Sequence, residues 1–341
     1  YNAANPNLRW NFIGNPYPSA IDFVAFHIAN SSVLEGAAYF WSQASPPDVG
    51  NPGNEAQNLN LDDYAVFTVG TGPTAGGSGE LPNGYVASGQ GFFIPALTSL
   101  TNTSGHSATF TNAMRRSDAA SNSQFFKGSS TKKSNASVSN PLENKLWINL
   151  TSDNGVFNQV LVGYVENATD DFDGMSYDAP KLLNPGYAAA LYSNMANDDI
   201  KYVIQGKNIN SINEDEIIKL GLSTSIEVAT IYSLSIDHFE GEFLNNNTIY
   251  IKDNLLSTVH DLTDSDYTFT SEAGEFNDRF EIVFKENALS VDNNNLDNNF
   301  LRIVDLNNDN IQFRTSENLT IKTVAIFDLL GRQLYDLKGN T

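Results

Sequence analysis

Apolar residues recur at every second position over long stretches of this sequence. Residues 145–152, KLWINLTS, and residues 226–236, IEVATIYSLSI, both alternate in this way. Successive side chains of a β-strand point to opposite faces of its sheet, so this period predicts strands with one buried face. A helix is predicted only at residues 214–221, EDEIIKLG. The predicted fold class is therefore all-β, with tandem antiparallel β-sandwich domains of the jelly-roll or Ig-like kind.

Shifts in composition divide the chain into five predicted segments. Short apolar runs separated by Gly and Pro come first, a polar and locally basic stretch follows, and the longest alternating runs come next. The last segment holds roughly four strands, fewer than a small Ig-like sandwich requires. The segments are an N-terminally incomplete β-rich module (1–115), a polar linker (116–144), a jelly-roll-like β-sandwich (145–287), an Asn-rich tether (288–299) and a partial Ig-like domain (300–341).

Three β-hairpins are predicted from turn-forming residues between alternating runs. Two lie in the jelly-roll-like segment, at residues 252–261 and 271–279. The third lies at residues 323–337, where Val324 and Ile326 belong to the outgoing strand. A hairpin with one apolar face needs further strands or a covering layer, so the third one is not expected to be stable by itself.

The net charge limits the classes of partner. The 341 residues contain 19 Lys and Arg against 40 Asp and Glu, a formal net charge of -21. Such a surface repels phosphate backbones and anionic headgroups, so we expect no nucleic-acid partner. The lack of cysteine excludes disulfides, thiolate metal sites and cysteine nucleophiles. No apolar run approaches the roughly 18 residues that a membrane helix needs, so no membrane span is expected.

The sequence contains no recognisable catalytic motif. Its four histidines, His27, His106, His238 and His260, lie far apart, without an H-E-x-x-H pair. No G-x-S-x-G elbow occurs at a strand-to-helix turn, and paired acids lie mostly in loops. We therefore predict that the protein is not an enzyme and has no catalytic residues.

Calcium is the one cofactor for which the sequence offers candidate ligands. Residues 170–178, DDFDGMSYD, place Asp170, Asp171, Asp173 and Asp178 around a central glycine, and Ca²⁺ prefers such oxygen donors. The segment does not complete an EF-hand. Asp residues are also common in plain turns, which is the competing interpretation.

Tryptophans are the candidate residues for a sugar platform. The chain has three, Trp10, Trp41 and Trp147, and each lies in an apolar run predicted to form a strand. Trp147 neighbours Leu146 and therefore faces the opposite side of its strand. Packing in a core or between domains is the favoured interpretation, and a sugar-binding platform is the alternative.

Motifs along nearly the whole chain resemble those of one family. They are WNFIGNPYPSAIDF (10–23), GQGFFIPA (89–96), FTNAMR (110–115), FFK (125–127), LWINLTSDNGVFNQVLVGYVENATDDFDG (146–174), YVIQGK (202–207), DYTFTSEAGEFNDRFEIVF (266–284) and IKTVAIFDLLGRQLYDL (321–337). Their order is similar to the C-terminal region of large surface and secreted Bacteroidetes proteins that leave the cell through the type IX secretion system. The last motif resembles the opening of a type C sorting domain, here truncated.

The resemblance implies an exported protein, either secreted or attached to the cell surface, whose last domain is its secretion address. It implies the type IX translocon and its outer-membrane shuttle proteins as partners. We therefore predict a non-enzymatic stalk or adhesin base with a sorting signal, with surface glycans as a further candidate partner. The alternative function is a carbohydrate-binding accessory region of a secreted polysaccharide-degrading enzyme.

Overall fold

Strands are the predominant secondary structure of the described residues. The computed structural model describes residues 9–42, 64–100, 105–124, 142–183, 187–228 and 230–285, together with the backbone of four strands beyond residue 300. The chain divides into two compact units, residues 1–288 and residues 289–341. The described strands pair antiparallel with one exception, which confirms the predicted all-β class.

The N-terminal part of the first unit is built on a five-stranded antiparallel sheet, called here the first sheet. Its strands are β1 (Trp10–Gly14), β3 (Ala37–Trp41), β4 (Tyr64–Thr68), β5 (Gly72–Thr74) and β7 (Gly91–Pro95), in the order β1-β7-β3-β4-β5. A small sheet accompanies it and consists of β2 (Ala20–Asp22), β6 (Tyr85–Val86) and β8 (Arg115–Arg116), with β2 in the centre. Helix α1 (Phe23–Asn30) directly follows β2, and a 3-10 turn (Asn112–Met114) directly precedes β8.

The rest of the first unit forms an eleven-stranded sheet, called here the second sheet. Its strands are β9 (Asn144–Ser152), β10 (Phe157–Val165), β11 (Ala179–Pro180), β12 (Ala189–Asn194), β13 (Lys201–Asn208), β14 (Ile217–Thr224), β15 (Ile231–Glu240), β16 (Tyr250–Asp253), β17 (Thr258–Asp261), β18 (Tyr267–Thr270) and β19 (Gly274–Val283). The order is β17-β16-β19-β14-β12-β13-β10-β9-β15-β18, and β11 pairs with β13. The parallel pair is β10 with β13. A short helix, α2 (Glu242–Asn246), follows β15.

Helix α1 begins directly after β2 because Asp22 caps it. The Asp22 carboxylate accepts the backbone N–H of Ala25 at 3.0 Å, which satisfies one of the free donors of the first turn. Phe23 and Phe26 are buried on the inner side of the helix. Alternation in the sequence does not predict this helix, since its eight residues are too few for a helical period to stand out.

Each sheet has its own hydrophobic core. In the N-terminal part, Phe92 is the centre of an aromatic cluster, with its ring centroid 5.8 to 5.9 Å from those of Phe23, Phe26 and Phe40. The second sheet encloses a larger core, because buried residues from most of its strands belong to one cluster. Tyr232 of β15 is fully buried in that cluster.

A third core joins the two sheets. Ala37, Tyr39 and Val66 on the outer face of the first sheet pack with Trp147 and Leu161 of the second sheet. All are buried, with exposures of 2% or less. The predicted boundaries of the linker, residues 116–144, therefore lie inside one compact unit, since the β-rich module and the sandwich share a core.

One ion pair is completely enclosed within the second sheet. Arg279 and Asp253 are 1% and 0% exposed, and a guanidinium nitrogen lies 3.0 Å from a carboxylate oxygen. The guanidinium also lies over the rings of Phe269 and Phe280, at 4.6 and 4.9 Å from their centroids. The Asp253 carboxylate accepts the N–H of Leu255 at 2.9 Å, so the same pair fixes the turn after β16.

The predicted helix at residues 214–221 is wrong, because these residues lead into strand β14. Ile218, Leu220 and Leu222 are buried at every second position, and β14 pairs on both sides, with β12 and β19. Two flanking strands supply more hydrogen bonds than a short isolated helix retains, so tertiary pairing overrides the local helical pattern.

The predicted hairpins differ in outcome. The hairpin at residues 252–261 is confirmed, because β16 and β17 pair antiparallel across it. The prediction at residues 271–279 is wrong: β18 pairs with β15, and β19 pairs with β14 and β16. A turn sequence joins consecutive strands but does not determine that they are neighbours in the sheet.

The second unit contains two antiparallel hairpins in its described strands. One joins β20 (Leu301–Asp305) to β21 (Ile311–Thr315), and the other joins β22 (Thr323–Phe327) to β23 (Gln333–Lys338). The predicted hairpin at residues 323–337 is thereby confirmed. None of the helices in the described part of the chain has the length and apolar character needed to cross a bilayer.

We expect the Phe92→Ala substitution to lower the free energy of unfolding by about 3–5 kcal/mol, because it empties the centre of the aromatic cluster. The matched control is Phe12→Ala on the adjacent strand β1, where the side chain is 64% exposed and the loss stays under about 1 kcal/mol. Urea denaturation measures both. Equal losses in the two variants would contradict the assignment of Phe92 to the core.

Candidate functional site

The predicted calcium segment belongs to a loop that fastens the two sheets to each other. This acidic loop, residues 166–178, connects β10 to β11. The carbonyl of Ser176 accepts the N–H of Gly70 at 2.8 Å, and that of Tyr177 accepts the hydroxyl of Thr71 at 2.7 Å. Met175 is fully buried in the core shared by the sheets. The loop therefore has a structural role at the interface of the two sheets.

Two glycines of the N-terminal part allow this close approach. A Cβ atom on Gly36 would lie 2.8 Å from the Cα of Ser176, and one on Gly70 would lie 2.9 Å from the Ser176 carbonyl oxygen. Both contacts are to backbone, which has no flexible end that could move aside. Any larger residue at either position would push the acidic loop away.

The four predicted calcium ligands are held by protein donors. Asp170 accepts the hydroxyl of Ser211 at 2.5 Å, Asp171 the amide of Asn197 at 2.7 Å, Asp173 the N–H of Thr169 at 2.7 Å, and Asp178 the N–H of Gly206 at 2.9 Å. Within the described residues, no three His, Asp or Glu side chains converge in a metal-binding arrangement. The loop acids thus do not form a ready-made set of calcium ligands.

Asp178 is the most perturbed carboxyl group of the acidic loop. Its side chain is completely buried, and its two oxygens accept the N–H groups of Gly206 and Asp173, at 2.9 and 3.2 Å. Burial raises the pKa of Asp178 to about 8, and a hydrogen bond with the Asp173 carboxyl adds to the rise. The fold therefore favours the protonated form of Asp178 more than the unfolded chain does.

The histidines occupy separate places in the structure. His238 stacks on Trp147 with ring centroids 3.9 Å apart, and its Nδ1 lies 2.6 Å from the Asp237 carboxylate. His260 contacts the backbone of Ser265 in the loop after β17. Burial lowers the pKa of His27 on helix α1. These contacts give each of the three a local structural explanation.

Trp147 is a core residue, as the favoured interpretation of the tryptophans predicts. It is 2% exposed and belongs to the core between the sheets. Its indole N–H donates to the Pro73 carbonyl at 2.8 Å, so its polar group is satisfied inside the protein. Trp147 is consequently unable to form a surface platform.

Trp10 and Trp41 belong instead to a row of partly exposed aromatic rings on the first sheet. This aromatic strip consists of Trp10, Phe12, Trp41, Tyr64 and Phe93. Phe12 is opposite Phe93 in the β1–β7 pair, and Trp41 is opposite Tyr64 in the β3–β4 pair, so the side chains share the outer face. The second sheet covers the centre of that face. Trp10, Tyr64 and Phe93 pack against the core between the sheets and stay partly exposed, whereas Phe12 is exposed.

Ring contacts hold the strip in a fixed arrangement. Centroid distances are 4.8 Å from Phe12 to Phe93, 5.9 Å from Phe93 to Tyr64, and 5.0 Å from Tyr64 to Trp41. Trp10 packs edge-on against the buried Tyr39 at 4.9 Å. Aromatic pairs at these distances and angles are favourable, so the rings are preorganised without a ligand.

A small pocket lies beside the strip, between the two sheets. It is lined by Tyr39, Tyr64, Val66, Ala75, Asn158, Gln159, Lys181, Leu182 and Val203. Its volume of about 20 Å³ has room for one water molecule. Gln159 is occupied within the protein, because its amide bonds to Ala75 and Asn149. A larger ligand would therefore rest on the strip and not enter the pocket.

Sequence reasoning found two members of the strip and missed the other three. Phe12, Tyr64 and Phe93 lie in short apolar runs of the segment 1–115, but such a run shows only that a strand there has an aromatic face. Which strands are neighbours depends on the order β1-β7-β3-β4, which is not a local property. The sequence did contain one indication of the strip. Trp10 and Phe12 are two residues apart, so they lie on the same face of their strand.

Comparison with known proteins gives a family but no function. The model of a family described as a domain of unknown function, DUF8693, matches residues 1–284, and the chain belongs to that family. No curated protein and no solved structure matches the chain.

We expect the buried carboxyl of Asp178 to make the protein less stable as the pH rises. Between the ordinary Asp pKa of 3.8 and about 8, the folded protein keeps a proton that the unfolded chain releases. Raising the pH through this window therefore lowers the free energy of unfolding, by at most about 1.4 kcal/mol per pH unit for one proton. Urea denaturation at pH 5 and pH 8 measures the change.

Two variants isolate this effect. Asp178→Asn keeps an acceptor for the Gly206 N–H but cannot ionise, so its stability falls less between pH 5 and pH 8 than that of the wild type. Asp171→Asn makes the same change at an exposed carboxylate of the acidic loop and keeps the wild-type profile. Parallel profiles for the wild type and Asp178→Asn would sink the explanation.

We expect EDTA to leave the melting temperature unchanged, because protein donors already hold the four acids of the acidic loop. Differential scanning fluorimetry in EDTA, and then in excess CaCl₂, measures this. A fall in melting temperature that CaCl₂ reverses would show that calcium binds the folded state and organises the loop.

Proposed function

We propose that this member of the DUF8693 family is a non-enzymatic region of an exported surface protein, with residues 300–341 as a type IX sorting domain. The observation that carries the proposal is the separate C-terminal unit, residues 289–341. The motif IKTVAIFDLLGRQLYDL in this unit resembles a type C sorting domain, and strands β22 and β23 lie within it or overlap its end.

The pairing in this unit supports recognition by other proteins. Its described strands form two sheets of two strands each. A strand at a sheet edge presents free N–H and C=O groups, which a partner strand can bind by adding to the sheet. The proposed partners are the type IX translocon and its outer-membrane shuttle proteins, and the proposed location is the cell surface or the medium.

The first unit supports a scaffold role. Its most buried acidic and basic side chains serve the fold: Arg279 pairs with Asp253 inside the second sheet, and Asp178 fastens the acidic loop to Gly206. A core common to both sheets makes residues 1–288 one continuous body, suited to a stalk or adhesin base. The net charge of -21 favours solubility of such a body outside the cell.

We expect export to depend on the second unit. The gene product that contains this chain is expressed in a bacterium with a type IX system, either intact or without residues 300–341. The intact protein should reach the surface or the medium, and the deleted form should accumulate in the periplasm. Immunoblots of cell fractions, with protease treatment of whole cells, measure the distribution.

The control is the Phe12→Ala substitution, which changes an exposed side chain of the first unit and should leave export unchanged. Export of the protein without residues 300–341, or periplasmic retention of the intact protein, would each refute the sorting role.

A further inference from the structure

We propose that the aromatic strip binds a neutral glycan, laid across the outer face of the first sheet. The five side chains of the strip are uncharged, and Phe12 is 64% exposed. This activity goes beyond export and stalk function, because it gives the first unit a ligand of its own.

The strip is built on strands, which hold its rings more rigidly than loops would. Phe12 is paired with Phe93, and Trp41 is paired with Tyr64, so their rings lie side by side across neighbouring strands. Four of the five rings form a row of contacts, at centroid distances between 4.8 and 5.9 Å, and Trp10 packs on the buried Tyr39. Binding to such a surface loses little side-chain entropy, since aromatic residues have few rotatable bonds and these are already fixed.

The polar groups of the strip favour a ligand rich in hydroxyls. Within the described residues, the indole N–H groups of Trp10 and Trp41 and the hydroxyl of Tyr64 make no hydrogen bond to protein. The indole N–H of Trp147, by contrast, is satisfied by Pro73. A purely apolar partner would leave the strip's polar groups unpaired, whereas a sugar pairs its hydroxyls with them and stacks its C–H face on the rings.

Charge and size favour a neutral glycan over other partners. The net charge of -21 disfavours nucleic acids, anionic lipids and acidic polysaccharides. A stable protein interface needs about 20–30 residues on each side, far more than the five of the strip. The neighbouring pocket admits only a water molecule, so the ligand is an extended chain lying on the surface and not an enclosed small molecule.

Binding of the purified chain to immobilised polysaccharides tests the proposal. The probes are neutral (xylan, mannan and β-glucan) and anionic (alginate and polygalacturonate). We expect binding to at least one neutral polymer, weakened about tenfold by Phe12→Ala and less strongly by Tyr64→Phe, which removes only a hydroxyl. Matched controls are Phe172→Ala and Tyr250→Phe, which make the same changes outside the strip and should bind as the wild type does.

The melting temperatures of all four variants show whether each is folded. Phe12→Ala is the most informative variant, because an exposed side chain contributes little to folding. The proposal is overturned if the wild type binds no neutral polymer, if it binds only the anionic ones, or if Phe12→Ala and Tyr64→Phe both bind normally. Because the protein is purified from cytoplasmic expression, none of these results depends on the sorting role of residues 300–341.

Discussion

The contact between the outer face of the first sheet and the second sheet is the constraint on which the first unit depends. Tyr39 and Val66 from one side meet Trp147 and Leu161 from the other, and all four are almost completely buried. The acidic loop reinforces this contact, because the carbonyls of Ser176 and Tyr177 accept hydrogen bonds from the Gly70 N–H and the Thr71 hydroxyl. The partly exposed aromatic strip borders this contact, so the packing that stabilises the unit also limits its candidate binding surface.

Buried acidic side chains contribute to the structure of the first unit at two points. In a protein with a large excess of acids, Asp253 and Asp178 lie fully inside, and each is compensated differently. Asp253 is neutralised by Arg279, whose guanidinium lies over the rings of Phe269 and Phe280. Asp178 lies among backbone donors and another acid, and burial raises its pKa to about 8, which favours its neutral form near neutral pH.

Alternation of apolar residues was enough to predict the all-β class and the β16–β17 hairpin, because both depend on local pattern. It failed at residues 214–221, where three acids and a lysine resemble a helix but two flanking strands force β14 to extend. It also could not show that β18 and β19 separate, since sheet order is set by contacts between distant residues. Trp41 and Tyr64 become neighbours only through the β3–β4 pairing, which is why the strip as a surface was not predictable.

The core between the sheets has a consequence for synthesis of the chain. Val66 leaves the ribosome long before its partners Leu161 and Ile204, which lie about a hundred residues or more further on. At ordinary elongation rates this delay lasts roughly ten seconds, during which an apolar sheet face is open to solvent. Until the second sheet is made and covers this face, the N-terminal half is prone to aggregate.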